Sequence, residues 1–237
     1  MINKKPIIGI TTDYQEKDHC YSKFPWYALR RNYVQSIEQF GCTPVILPIL
    51  ENEPNLNFVD AIIISGGDFD IDPKYFGQSI TSSRVKINEN RTVYEFKVID
   101  HFVKNKKPIL GICGGAQLIN VFFKGSLIQD INSTIQHEQP NPRNETSHEI
   151  KLTKDSFLQK LIRNKPIFVN SAHHQAVDRI GENLIIDANA NDGIIEAFHH
   201  SKLPYCVGIQ WHPEFLITDL DINIMKDFVE HAKNYSQ

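Results

Sequence analysis

Pro108-Ile-Leu-Gly-Ile-Cys-Gly-Gly-Ala-Gln117 decides the fold class. A short apolar run meets a cysteine, two glycines follow, and a helix-forming stretch opens directly behind them. Such a run reads as a buried strand turning sharply into a helix, a strand–turn–helix elbow. The elbow strains its central residue in a way that only small neighbours tolerate. It also lifts that side chain to the C-terminal end of the strand, where open α/β sheets bind ligands. The Cys113 sulfur would then stand at a helix N-terminus, which favours thiolate over thiol. The backbone N–H of Gly114 is a natural donor to an oxyanion. Most intracellular cysteines are inert buried thiols, but the glycines at 111, 114 and 115 argue against that for Cys113.

Outward from the elbow, short apolar runs alternate with stretches of helical period, the mark of an α/β domain. Strands are expected at Pro6–Thr12, Thr43–Leu47, Ala61–Ile64 and Ile109–Ile112. Helices are expected at Tyr27–Phe40, Asn90–Asn105, Gly115–Phe123 and Asp219–Ala232. Leu29, Tyr33, Ile37 and Phe40 form the apolar face of the first helix, and Gly41 its stop. Beyond Gly125, shorter strands are expected at Leu127–Ile131, His148–Leu152, Asn183–Ala188, Ile194–Phe198 and Tyr205–Gln210. Two polar stretches, Gln78–Asn90 and Ser133–Ser147, have the composition of long surface loops that border a site. Without repeats or linkers, the 237 residues fit one domain, 1–237.

Composition narrows the function classes. Apolar residues make up 41% and charged residues 22% of the chain, with a net charge of −3. No field therefore favours nucleic acid or anionic lipid, so neither is an expected partner. The N-terminal residues lack the apolar core of a signal peptide, and no apolar run reaches the roughly 20 residues of a membrane span. The four cysteines (20, 42, 113 and 206) are scattered, which fits a reducing, cytoplasmic compartment and one reactive thiol.

A second segment, Tyr205-Cys-Val-Gly-Ile-Gln-Trp-His-Pro-Glu214, ends a buried strand in His-Pro-Glu. In extended backbone, residues i and i+2 project to the same side. Glu214 would then orient His212 and stabilise its charged form, the role of the third member of a triad. An α/β-hydrolase would place its acid between nucleophile and histidine, and the order here disfavours it.

Together these segments resemble the class I glutamine amidotransferase-like superfamily, whose triad runs Cys, His, Glu in this order. Ile64-Ser-Gly-Gly-Asp-Phe-Asp-Ile-Asp-Pro-Lys-Tyr-Phe-Gly77 and Asn170-Ser-Ala-His-His-Gln175 are similar to two motifs of its peptidase C26 branch. Gln117–Val121 and Gly125–Asp130 resemble that branch's continuation after the elbow. The resemblance implies a flavodoxin-like fold, with a mostly parallel central sheet flanked by helices and a small additional antiparallel sheet. It implies hydrolysis of a small gamma-glutamyl amide (gamma-glutamyl-gamma-aminobutyrate or similar, in putrescine breakdown) through a thioester on Cys113. His212 and Glu214 complete the triad, Gly67 and Gly114 supply the oxyanion donors, and no metal or organic cofactor is needed. Gln117, His173, His174 and Gln175 become substrate-contact candidates, although hydrogen-bonded structural roles account for them equally well. Adjacent histidines diverge and make a poor zinc motif, and His199 and His200 are expected at the surface. Asp68, Asp70 and Asp72 lack the calcium-loop pattern and fall on a pocket-edge loop.

Two positions depart from the branch's pattern: Gly114 stands where an arginine is usual, and Thr92 where an aspartate is. Neither removes a triad member, and the missing arginine bears on how a substrate's carboxylate is held. A glutaminase subunit feeding ammonia to a synthetase shares the triad and stays open, as does a homodimer. A non-catalytic relative is disfavoured by the intact triad.

Overall fold

The apolar run after Pro6 forms strand β1 (Ile7–Thr11). Next, β2 (Asp13–Gln15) pairs with β3 (Trp26–Ala28) as a separate antiparallel ribbon. Helix α1 (Arg31–Glu38) leads to β4 (Thr43–Leu47) and β5 (Ala61–Ile64). Helix α2 (Glu89–Lys104) leads to β6 (Ile109–Ile112), which turns into α3 (Gly114–Phe122). Seven strands follow: β7 (Leu127–Ile128), β8 (His148–Leu152), β9 (Ile167–Val169), β10 (Ala176–Val177), β11 (Leu184–Ala190), β12 (Ile195–His200) and β13 (Cys206–Ile209). Helix α4 (Asp219–Tyr235) is the last element of this computed structural model, which describes residues 5–15, 23–162 and 166–235.

The main sheet runs β4-β1-β5-β6-β13-β12-β11-β8-β9. Its first five strands are parallel and the rest antiparallel, while β10 pairs with β12 and β7. Strands β5, β6 and β13 are buried along their whole length, as expected where helices cover both faces. Period-two alternation divides their side chains between the faces. Ile63, Leu110 and Ile112 pack with Tyr33 and Ile37 of α1 and Ile224 and Phe228 of α4. Ile62, Ile64 and Ile109 pack with Val98 and Phe102 of α2 and Ile119 of α3. Because β5, β6 and β13 are neighbours in register, with Ile64 beside Gly111 and Ile209 beside Ile112, their C-terminal ends meet. They deliver Ser65-Gly66-Gly67, Cys113 and His212 to one place.

Three expectations need correction. The first helix begins at Arg31 rather than Tyr27, because Trp26–Ala28 pairs with Asp13–Gln15 instead. The Tyr14 and Tyr27 rings pack at 5.7 Å, and the Tyr27 hydroxyl donates to Ile49 O at 2.9 Å, so tertiary contacts override local helical period. Strands β9 and β10, only three and two residues long, were too short to show a period. His200 is buried rather than exposed: its ring packs 4.6 Å from Phe123, and its Nδ1 accepts from Lys202 N. Gly41, at φ +87°, ends the first helical segment as its sequence position indicated. Among the described residues, no helix is long and apolar enough to cross a membrane.

Candidate active site

Cys113 occupies the elbow between β6 and α3 with φ 54° and ψ −111°. Positive φ in a non-glycine residue costs of order 1–3 kcal/mol, sustained only where the surroundings enforce it. Here they do. The Cys113 N–H donates to Ile209 O at 2.8 Å, and its carbonyl accepts from Ala116 N and Gln117 N. A Cβ on Gly115 would lie 2.0 Å from Ile64 O, so α3 seats against β5 only with glycine there. A Cβ on Gly111 would meet the Gly115 backbone at 2.7 Å.

His212 follows β13 and is 2% exposed. Its backbone N–H donates to Asn170 Oδ1 at 2.8 Å, and its carbonyl accepts from Asn170 Nδ2 at 3.0 Å. The ring Nδ1 lies 2.8 Å from Glu214 Oε1. This contact is not made along an extended strand: Pro213–Phe215 is a turn of 3-10 helix, followed by Leu216 at φ 56°. Proline's fixed φ suits the first position of such a turn. Burial opposes the imidazolium, but the Glu214 carboxylate and the Cys113 sulfur outweigh it and push His212 up to about 9. By contrast, burial pushes the Cys42 and Cys206 thiols up to about 11 and about 12. Cys20 lies outside the described residues.

The Gly66–Gly67 turn after β5 is held by buried groups from distant segments. The Tyr33 hydroxyl accepts from Gly66 N at 3.0 Å, and Asp13 Oδ2 accepts from Asp68 N at 2.9 Å. Arg91 donates to Ser65 O at 2.7 Å and Gly66 O at 3.2 Å, while pairing with Asp13 at 3.0 Å and Glu95 at 3.2 Å. A Cβ on Gly67 would fall 2.0 Å from Arg91 Nη1. One on Gly114 would meet nothing closer than 3.8 Å and would lie 3.9 Å from Gly67 N. Among the described residues, neither the Gly67 nor the Gly114 N–H has a hydrogen-bond partner; the latter is an orphan donor of the helix start.

Cys113, Gly67, Gly114 and His212 line one cavity of about 600 Å³. Gln117 lines it too, its Nε2 tied to Gln175 O at 2.9 Å and Gln210 Oε1 at 3.2 Å. His174 is held between Asp70 at 3.2 Å and Asp130 at 3.5 Å, and Asp70 is the main cause that raises its pKa. The other two contact candidates, His173 and Gln175, also line the cavity, but their polar groups are bonded to the protein interior. His173 directs Nδ1 to Gln175 O and Nε2 toward buried Glu196, while Gln175, 1% exposed, donates to Gln129 O. Asp68 and Asp70 sit on the cavity edge, whereas Asp72 caps the Pro73–Phe76 turn by accepting from Lys74 N. Both long loops reach the cavity, through Ser83, Arg84 and Lys86 and through Glu138 and Arg143. Sequence reasoning missed Tyr33, Asp13 and Arg91 as supports of the glycine turn. Asn170, which holds both backbone groups of His212, carried a signal, inside a segment already noted for its resemblance.

The peptidase C26 family profile matches residues 6–214. A glutamine amidotransferase-like protein of Rickettsia prowazekii (strain Madrid E) is 36% identical, over 98% of this chain and 99% of its own. Gamma-glutamyl-gamma-aminobutyrate hydrolase PuuD of Escherichia coli (strain K12) is 26% identical, over 90% of this chain and 87% of its own. Among solved structures, a Thermotoga maritima glutamine amidotransferase superposes with a TM-score of 0.57 at 14% identity. The match covers 89% of this chain and 76% of that one, and shows a shared fold.

Proposed function

The chain belongs to the peptidase C26 family, and on that premise we propose that it is a cysteine hydrolase cleaving the gamma-glutamyl amide bond of a small gamma-glutamyl compound. One observation carries this: a cysteine strained to φ 54° at a helix start shares a cavity with a histidine bonded to a buried carboxylate. Cys113 attacks the side-chain carbonyl, and the Gly67 and Gly114 N–H groups receive the oxyanion. The His212 imidazolium, stabilised by Glu214, protonates the departing amine as the gamma-glutamyl thioester forms. Neutral His212 then takes a proton from water, whose oxygen attacks the thioester, releasing glutamate and restoring the thiolate. Each oxyanion donor of this kind typically contributes about 3 kcal/mol, and acid–base transfer another 10²–10⁴-fold.

For the substrate, gamma-glutamyl-gamma-aminobutyrate or a close analogue fits best. A cavity of about 600 Å³ leaves room beyond a gamma-glutamyl group. Its lining includes Arg30, Lys86 and Arg143, and none of the three is in an ion pair among the described residues. Arg84, by contrast, is neutralised by Asp130 and Glu138. Unpaired cationic side chains favour a leaving amine that carries its own carboxylate. They also compensate for Gly114, which offers no charge where the family pattern has arginine. The Escherichia coli relative's name points to the same substrate. The test is kcat/KM for gamma-glutamyl-gamma-aminobutyrate against free glutamine, measured on the isolated protein. A preference of at least about tenfold for the former is expected from one or two charge-assisted contacts. A preference for glutamine, or no turnover of any amide until a synthetase is added, would favour an ammonia-donating protein instead.

A further inference from the structure

Behind the segment that carries His173, four side chains from separate parts of the chain converge: His137, His148 on β8, His173, and Glu196 on β12. All four are buried, Glu196 completely. Glu196 Oε1 is the hub, at 3.0 Å from His148 Nε2, 3.3 Å from His137 Nδ1 and 3.7 Å from His173 Nε2. One donor atom from each of His137, His148 and Glu196 lies within 4.8 Å of the other two. Ligands about 2.0–2.2 Å from a tetrahedral ion stand roughly 3.3–3.5 Å from one another, and the distances around Oε1, 3.0 to 3.7 Å, bracket that spacing.

Hydrogen bonding alone does not satisfy this cluster. His137 Nδ1, His148 Nδ1, His173 Nε2 and Glu196 Oε2 are all buried without a hydrogen-bond partner among the described residues. Buried polar atoms are otherwise almost always paired, and here two of the unpaired ones, His137 Nδ1 and His173 Nε2, face the same Glu196 Oε1. The outer contacts fix what two rings present inward. His137 Nε2 lies 2.9 Å from Asp192 Oδ2, and His173 Nδ1 lies 2.9 Å from Gln175 O. Both oxygens accept, so each of those nitrogens donates. The opposite nitrogen of each ring faces Glu196 Oε1, at 3.3 Å for His137 and 3.7 Å for His173, where a ring proton or a bound cation must separate the two lone pairs. A carboxylate or carbonyl on the far ring nitrogen is also the usual second partner of a metal-binding histidine.

We infer that His137, His148, His173 and Glu196 form a binding site for one divalent transition metal ion of the zinc class. Three imidazoles and one carboxylate suit zinc or cobalt(II). Glu196 and Asp192 together balance the charge of the ion. With four protein ligands the site is closed, and its role is structural. His148 binds through Nε2 after moving its proton to Nδ1, and His173 closes the remaining distance by a small ring shift. The ion would pin the Ser133–Ser147 loop to the antiparallel half of the sheet. It would also fasten the segment from Asn170, which holds both backbone groups of His212, to Gln175. This inference does not depend on which amide is hydrolysed.

The test uses the full-length protein, stripped with chelator and titrated with zinc chloride or cobalt(II) chloride. Expected are one equivalent of either metal per chain, a rise in Tm on zinc addition, and visible cobalt(II) absorption of tetrahedral N/O type. Glu196→Gln and His148→Gln should each weaken binding by at least about tenfold, while Cys113→Ser and His231→Ala should bind as the parent does. The parent protein decides the matter even where a variant fails to fold. No stoichiometric metal with an unchanged Tm, octahedral surface-type cobalt absorption, or loss of binding in Cys113→Ser would each overturn the proposal.

Discussion

Replacing Glu214 with glutamine keeps a group that can accept from His212 Nδ1 but removes the charge that holds the imidazolium. The structure gives the size of the effect. Full burial acts to lower the His212 pKa, yet Glu214 and Cys113 carry it from 6.5 to about 9. That net rise corresponds to roughly 3 kcal/mol in favour of the protonated ring, and the opposing cost of burial must be added to what the two partners supply. The Glu214 charge is the largest single cause that raises the pKa. Without its charge, less opposes burial and the ring titrates below about 9. In the proposed mechanism the imidazolium protonates the leaving amine, so activity should fall as pH rises through the His212 pKa. In the parent protein the alkaline limb of kcat/KM is therefore expected near pH 9. In Glu214→Gln it should move down by at least about one pH unit, and turnover at pH 8 should fall on the order of 10²–10⁴-fold. Stability obeys the same sign. A histidine with raised pKa contributes stability present in full below its unfolded value and lost as pH rises through about 9, so the variant should lose Tm mainly at neutral and lower pH. The assay is glutamate release from gamma-glutamyl-gamma-aminobutyrate across pH 5 to 10, with iodoacetamide alkylation of Cys113 followed over the same range. An alkaline limb that stays near pH 9 in the variant would refute this account of how the ring is charged.

Alkylation should also separate the thiols: Cys113 reacts within the folded protein, while buried Cys42 and Cys206, at about 11 and about 12, react only on unfolding. Mass mapping that finds Cys42 or Cys206 labelled as fast as Cys113 would contradict this. Cys113→Ala should abolish turnover and, because φ 54° strains alanine no more than cysteine, leave Tm within about 1 kcal/mol equivalent. Two glycines should behave oppositely. Gly67→Ala drives a methyl into Arg91 and Asp13 and should cost several kcal/mol or activity outright, whereas Gly114→Ala has ordinary van der Waals room and should retain both fold and most turnover, as circular dichroism and glutamate release will show.

What was legible in the sequence is what the backbone settles over a few residues. The elbow could be read because Gly111 and Gly115 sit where a Cβ would strike Ile64 or the neighbouring turn, a demand that leaves its mark within five residues of Cys113. His212 and Glu214 could be paired because two residues separate them, although the pairing was inferred for an extended strand and is made across a 3-10 turn. The side-chain contact survived a wrong backbone because the chain allows so little freedom over that distance. Illegible features share the opposite property. Asp13, Tyr33 and Arg91 meet at Gly66–Gly67 only after three segments have folded together. Nothing in the pattern near Arg91 marks it as a buried cation bonded to carbonyls of another turn. The strand at Trp26–Ala28 exists because a partner strand is present, so local helical period misled there. His137, His148 and Glu196 likewise come together from a loop and two strands of the antiparallel half, the region whose short elements were hardest to delimit. The strain at Cys113 is thus written locally, while the groups that hold the Gly66–Gly67 turn and surround His212 are set by tertiary packing. Variants at Arg91 or Asp13 should therefore disturb the Gly67 N–H without touching Cys113, which ties the two halves of the site to physically separate causes.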